Sequence, residues 1–127
     1  MDSDHSKDAH PAYPLLIKQL SSDEAKILTL LKSAQFDYVH TQDFDQQRNL
    51  FSGHHVEVDD LPREGLIFPE NVSFYMQHLD KLGLAGVYQA GNQEPLFLPG
   101  TRNQIGVRVR SKYLLTSFGQ AFVRACT

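Results

Sequence analysis

Cysteine is nearly absent from this chain. Cys126 is the only one, so no internal disulfide can form, which fits a reducing cytoplasm. Basic charge is also short: twelve Lys and Arg stand against fifteen Asp and Glu, a formal net charge of −3. That balance points away from a dedicated nucleic-acid binder, although a single basic face would suffice for one. No apolar run approaches the ~18 residues that a membrane-spanning helix requires. The first ten residues, MDSDHSKDAH, lack the basic and apolar regions of a signal peptide. No nucleophile elbow, Walker loop or HExxH motif is present, and Gly83 and Gly86 are too sparse to cradle a phosphate. The chain therefore reads as non-enzymatic and cytoplasmic, with no cofactor, no small-molecule substrate and no membrane partner.

What is present is an ordinary globular mixture. Of 127 residues, 41% are hydrophobic and 21% charged. A chain of this length forms one domain and buries roughly two-thirds of its unfolded surface without a staple. Residues 1–9 read as a flexible lead-in and residues 10–127 as the domain.

Local signals place the helices. Leu15, Leu16, Gln19 and Leu20 suggest two helical turns. Ser21 and Glu24 fit a capping box, in which side chains satisfy the free amides of a new helix. Ala25, Leu28 and Leu31 then follow the helical period. A second long helix is expected from Pro69 to Leu82. Proline suits its first position, and Val72, Tyr75, Met76, Leu79 and Leu82 form one apolar stripe. Gly83 then fits a left-handed cap. A last helix is expected after Thr116, with Phe118, Phe122 and Ala125 on its apolar face and Gly119 allowing close packing. Cys126 reads as a small apolar residue closing it.

Strands are expected in FDYVHTQDF, from Leu84 to Tyr88, and in IGVRVRSKYLLT, where Ile105, Val107 and Val109 point one way and Arg108, Arg110 and Lys112 the other. A long Gly- and Pro-containing loop, Ala90 to Gly106, separates the last two. From Asp45 to Phe68 the pattern is poor; RNLF reads as helical and HVEV alternates.

Titratable clusters carry little chemistry. His54 and His55 are adjacent, so on a strand they face opposite ways, and His40 and His78 are far from them in sequence. Zinc needs about four convergent ligands, so no metal is expected. Asp43, Asp45, Glu57, Asp59 and Asp60 read as solvated loop carboxylates. The informative polar set is basic: Arg102, Arg108, Arg110 and Lys112, three of them on one strand face. Asn71, Gln77 and Lys81 on the second long helix join them as candidate contacts to nucleic acid or a partner. That helix offers no arginine to read guanine. A protein partner or a second copy of the chain is the first expectation, and DNA the alternative.

A helix ending L-x-x-L-G-L, then a hairpin whose second strand runs into L-T-x-x-G-x-x-F, resembles the back half of winged-helix domains. The fold expected is α+β: a helical core, a β-hairpin wing and a short C-terminal helix. A narrower resemblance lies in His10-Pro11, Ile17-Lys18-Gln19-Leu20-Ser21, Asp23-Glu24-Ala25-Lys26-Ile27-Leu28, Leu79-x-x-Leu82-Gly83-Leu84 and Leu115-Thr116-x-x-Gly119-x-x-Phe122. Over roughly Ala9 to Thr127 the chain is similar to the C-terminal region of the abortive infection alpha (Abi-alpha) family. The chain would then be an excised domain or a shortened relative. The resemblance implies a part in bacterial defence against phage and supplies no catalytic residues.

Overall fold

The computed structural model describes residues 13–126. The expected lead-in, residues 1–9, and the His10–Pro11 pair lie outside them. Ten elements follow in order: α1 (Tyr13–Gln19), α2 (Ser22–Ser33), β1 (Phe36–Asp45), β2 (Leu50–Asp59), a short 3-10 helix (Pro69–Asn71), α3 (Val72–Lys81), β3 (Ala85–Gln89), β4 (Glu94–Phe97), β5 (Gln104–Leu115) and α4 (Ser117–Cys126). The fold is mixed α+β, as expected. The strands form one sheet in the order β2–β1–β5–β3, with β4 also beside β5. The chain divides into two compact units. A helical unit takes the chain up to Gln35, then Pro62–Gly86, then from Leu114 onward; a sheet unit takes Phe36–Leu61 and Val87–Tyr113.

The capping box at α2 is formed. The Ser21 hydroxyl accepts the Glu24 amide at 3.2 Å, and the Glu24 carboxylate accepts the Ser21 amide at 2.9 Å. Ile27, Leu28, Leu31, Val72, Met76 and Leu79 supply the helical core. Gly83 adopts φ +76° and ends the α3 segment. The chain turn into α4 is held by Thr116. Its hydroxyl donates to the Gly83 carbonyl at 2.6 Å and accepts the Gly119 amide at 2.8 Å. Gly119 packs so tightly that an added Cβ would stand 1.8 Å from the Leu84 carbonyl oxygen. Tyr13 meets the edge of Phe122, ring centroids 5.2 Å apart.

The poorly patterned middle is a hairpin, which corrects the expected helix at RNLF and the expected loop carboxylates. β1 and β2 are antiparallel partners of ten residues each. Asp45 makes the turn: its carboxylate accepts the amides of Gln47 and Arg48 at 3.1 and 3.2 Å. Asn49 takes φ +55°, a conformation that asparagine tolerates better than most residues. The ladder slips twice, and Gly53 sits at one slip with φ +74°. The expected long loop is also shorter than read, because Glu94–Phe97 pairs with β5 as a strand. On β5, Val107 and Val109 are buried as expected, whereas Ile105 is exposed. Among the described residues, no helix is long and apolar enough to cross a membrane.

Candidate functional site

The helical unit spends two buried carboxylates at the start of α2. Asp23 accepts the backbone amides of Ile67 and Phe68 at 2.7 and 2.8 Å, and the Tyr75 hydroxyl at 2.9 Å. Burial raises the Asp23 pKa, but the two amides, the Tyr75 hydroxyl and the charge of Lys26 outweigh it and hold the carboxyl below its usual value. Burial and the bond to Asp23 push the Tyr75 phenol up. Beside it, Glu24 lies 2.6 Å from Nδ1 of His78. Lys26 bonds the Gly65 carbonyl. The segment ahead of α3 is thus tied to α2 through its backbone.

That tie has an outward consequence. The two residues whose amides Asp23 holds present their side chains to solvent: Ile67 is 62% exposed and Phe68 52%. Phe74, off the apolar stripe of α3, is 66% exposed. These three were not singled out in the sequence. The signal was there in Leu66-Ile67-Phe68, an apolar run with no periodic partner, and in Phe74 standing where the helix pattern wants a polar residue. Of the candidates on this helix, Gln77 and Lys81 are exposed, while Asn71 is half-buried at the end of the 3-10 helix and bonds Tyr75.

The expected basic face exists, but its charges are matched. Arg108 donates from Nε and Nη2 to the two Glu57 oxygens at 2.6 and 3.1 Å, and from Nη1 to Glu94 at 3.4 Å. Arg110 donates to the other Glu94 oxygen at 2.7 Å. Lys112 donates to Asp37 at 2.8 Å. The bond from Arg108 holds the Glu57 carboxyl below its usual value, and that from Arg110 does the same for Glu94. Arg108 is in turn held above the ordinary arginine value, chiefly by Glu57. Arg102 lies apart, exposed in the turn between β4 and β5. The structure therefore brings Arg108 and Arg110 together around one carboxylate.

His54 and His55 go separate ways, and the fold brings the sequence-distant His40 to His54. His55 pairs with Asp43 at 3.1 Å, whereas Nε2 of its neighbour His54 lies 2.7 Å from the Tyr38 hydroxyl. The His40 ring stacks on His54, centroids 4.2 Å apart. Burial, with the neighbouring His54, pulls the His40 pKa down, and its Nδ1 is buried without a hydrogen-bond partner. Among the described residues, no three His, Cys, Asp or Glu converge as a metal site would require. Cys126 is exposed, and partial burial of its thiol pushes the pKa up.

A solved structure of an uncharacterized protein from the hydrocarbon-degrading marine bacterium Alcanivorax borkumensis SK2 is similar to this chain. The two are 12% identical with a TM-score of 0.54, over 99% of this chain and 96% of that one. At that identity the likeness concerns the fold alone. No curated protein matches. The family model for abortive infection alpha matches residues 1–126, well beyond the motif blocks, and the chain belongs to that family.

Proposed function

We propose that this chain is a non-catalytic protein-docking module of an abortive-infection, phage-defence system, acting through Ile67, Phe68 and Phe74. Family membership supplies the defence context. The observation that carries the docking role is the Asp23 clamp. A buried carboxylate fixes the backbone of two residues whose large apolar side chains face water. Pre-ordered aromatic and aliphatic anchors lower the entropy cost of binding, which is what an interface centre needs. A winged-helix-like architecture is supported by β5 lying between β1 and β3, by α3 leading into β3, and by α4 closing the chain after β5.

The test is phage protection. In cells that carry the chain and are challenged with phage, the double variant Ile67→Asp/Phe74→Asp loses protection while its melting curve matches wild type. Full protection by the folded variant would sink the reading. DNA binding is the second reading, supported by exposed Arg102 and half-exposed Arg110 beside the same strand. It predicts salt-sensitive binding of random duplex, because counterions are released. The carboxylates matched to Arg108, Arg110 and Lys112 weigh against it.

A further inference from the structure

Within the sheet unit, β2 is the outermost strand. β1 is bonded on both sides, to β5 from Phe36 to Asp43 and to β2, whereas β2 pairs among the described residues with β1 alone. All ten β2 residues are exposed, so little apolar burial holds the strand in place. Its ladder slips between Val39 and His40 and again between Thr41 and Asp43. Between the slips stand His40 paired with Val56 and Thr41 paired with His55.

A histidine pair joins the two strands at that weak stretch. The rings of His40 on β1 and His54 on β2 lie 4.2 Å apart and within 19° of parallel. Tyr38 stands beside both rings, its hydroxyl 2.7 Å from Nε2 of His54. Tyr113 of β5 meets the Tyr38 ring edge-on and donates to Asp59, the carboxylate of the cluster, at 2.8 Å. Opposite His40 on β5 is the apolar Val109. Nδ1 of His40 is buried and has no hydrogen-bond partner. Protonating His40 therefore has two costs. A buried charged donor is left without an acceptor. A protonated His54 in the stack then repels it. Both costs vanish when β2 moves off, because His40 reaches water and His54 leaves with its strand.

We propose that the His40–His54 stack is an acid-released latch: neutral, it keeps β2 on the sheet, and protonated, it lets β2 leave and frees the backbone groups of β1 that β2 had bonded. Burial first, and the charge of His54 second, hold the folded His40 pKa below its usual value. A histidine depressed in the folded state contributes stability that is complete above its unfolded pKa, about 6.5, and is lost as pH falls below it. The Asp23 clamp loses its contribution only below about pH 4, so the latch opens while the clamp holds. His55 and Asp43, 3.1 Å apart, also join the strands, but that pair is exposed and holds them weakly. The latch is independent of the surface made by Ile67, Phe68 and Phe74, so each can fail alone.

Amide hydrogen exchange on the full chain, read residue by residue at about pH 7.5 and about pH 5.5, tests it across the range in which histidine titrates. Rates are corrected for the intrinsic effect of pH. In wild type, the β2 amides bonded to β1 lose protection at the lower pH, while amides of α2 and β5 keep theirs. His40→Phe retains a stacked ring that cannot gain a proton, and its β2 protection is the same at both values. A second measurement needs no variant: the ring protons of His40, followed by NMR in wild type, titrate over the same range in which β2 loses protection. Four results each overturn the proposal: β2 protection in wild type that ignores pH, an acid loss that persists in folded His40→Phe, a His40 titration out of step with the loss, or a loss that α2 shares equally. If His40→Phe does not fold, the wild-type titration decides alone.

Discussion

Carboxylates do opposite work in the two units. In the helical unit, Asp23 and Glu24 are buried and bond amides, a phenol and an imidazole, so they define geometry. In the sheet unit, Glu57 and Glu94 are partly exposed and bond arginines, so they balance charge. The energetic consequences differ. Removing a buried acceptor strands donors that water cannot reach, which is costly. Exposed ion pairs gain little, because water screens them and long side chains lose freedom. Asp23 and Glu24 thus fix the chain path in the helical unit, whereas Glu57 and Glu94, unlike Asp45 at the hairpin turn, balance the charge of a face.

The helical unit should therefore be the fragile one. Leu79 has no exposed surface. Leu79→Ala leaves a cavity and should cost about 2–5 kcal/mol, read by denaturant unfolding. Gly119→Ala comes next. Its methyl would collide with a carbonyl rather than a flexible side chain, so α4 must shift, at about 1–3 kcal/mol. If Gly119→Ala unfolds with the wild-type midpoint, α4 does not pack as described.

Asp23→Asn follows in size and has a pH signature. The folded Asp23 pKa lies below its usual value. A group depressed in the folded state contributes stability above its unfolded pKa, about 3.9, and loses that contribution as pH falls through the folded value. Wild type should therefore lose stability below about pH 4. Asp23→Asn should melt lower at neutral pH and show a shallower acid limb. An acid limb unchanged by the substitution would mean that Asp23 is not the titrating clamp.

These differences also explain what the sequence disclosed. The capping box, Gly83 and the Thr116 cap are written within three or four residues, so pattern reading reaches them. The hairpin is not written that way. Its turn uses Asp45 and Asn49 where Gly or Pro would announce a turn. All ten β2 residues are exposed, so no buried alternation marks the strand, and two slips in the ladder break the period of two. The arginines of β5 were legible as a face, but not their neutralisation. Glu57 is 51 positions from Arg108 and Glu94 is 14, separations that only the folded sheet brings to bonding distance. The apolar run at Ile67 and Phe68 was legible, but not the clamp that orders it, since Asp23 is 44 and 45 positions away.

The sharpest test of the comparison has the smallest effect on stability. Glu57→Gln/Glu94→Gln removes the carboxylate that pairs with Arg108 and the one that Arg108 and Arg110 share, while glutamine still accepts a hydrogen bond. Melting at neutral pH should stay close to wild type, because the lost pairs are exposed to water. The acid limb should also flatten slightly, since both glutamates titrate below their usual values in the fold. What should change is the field of the face: Arg108 and Arg110 become unmatched cations, and labelled duplex DNA should bind in a salt-sensitive manner where wild type does not. Wild-type binding equal to the variant's would show that the carboxylates silence nothing. A melting loss as large as that of Asp23→Asn would show that the sheet pairs also hold geometry, and the contrast between the two units would fail.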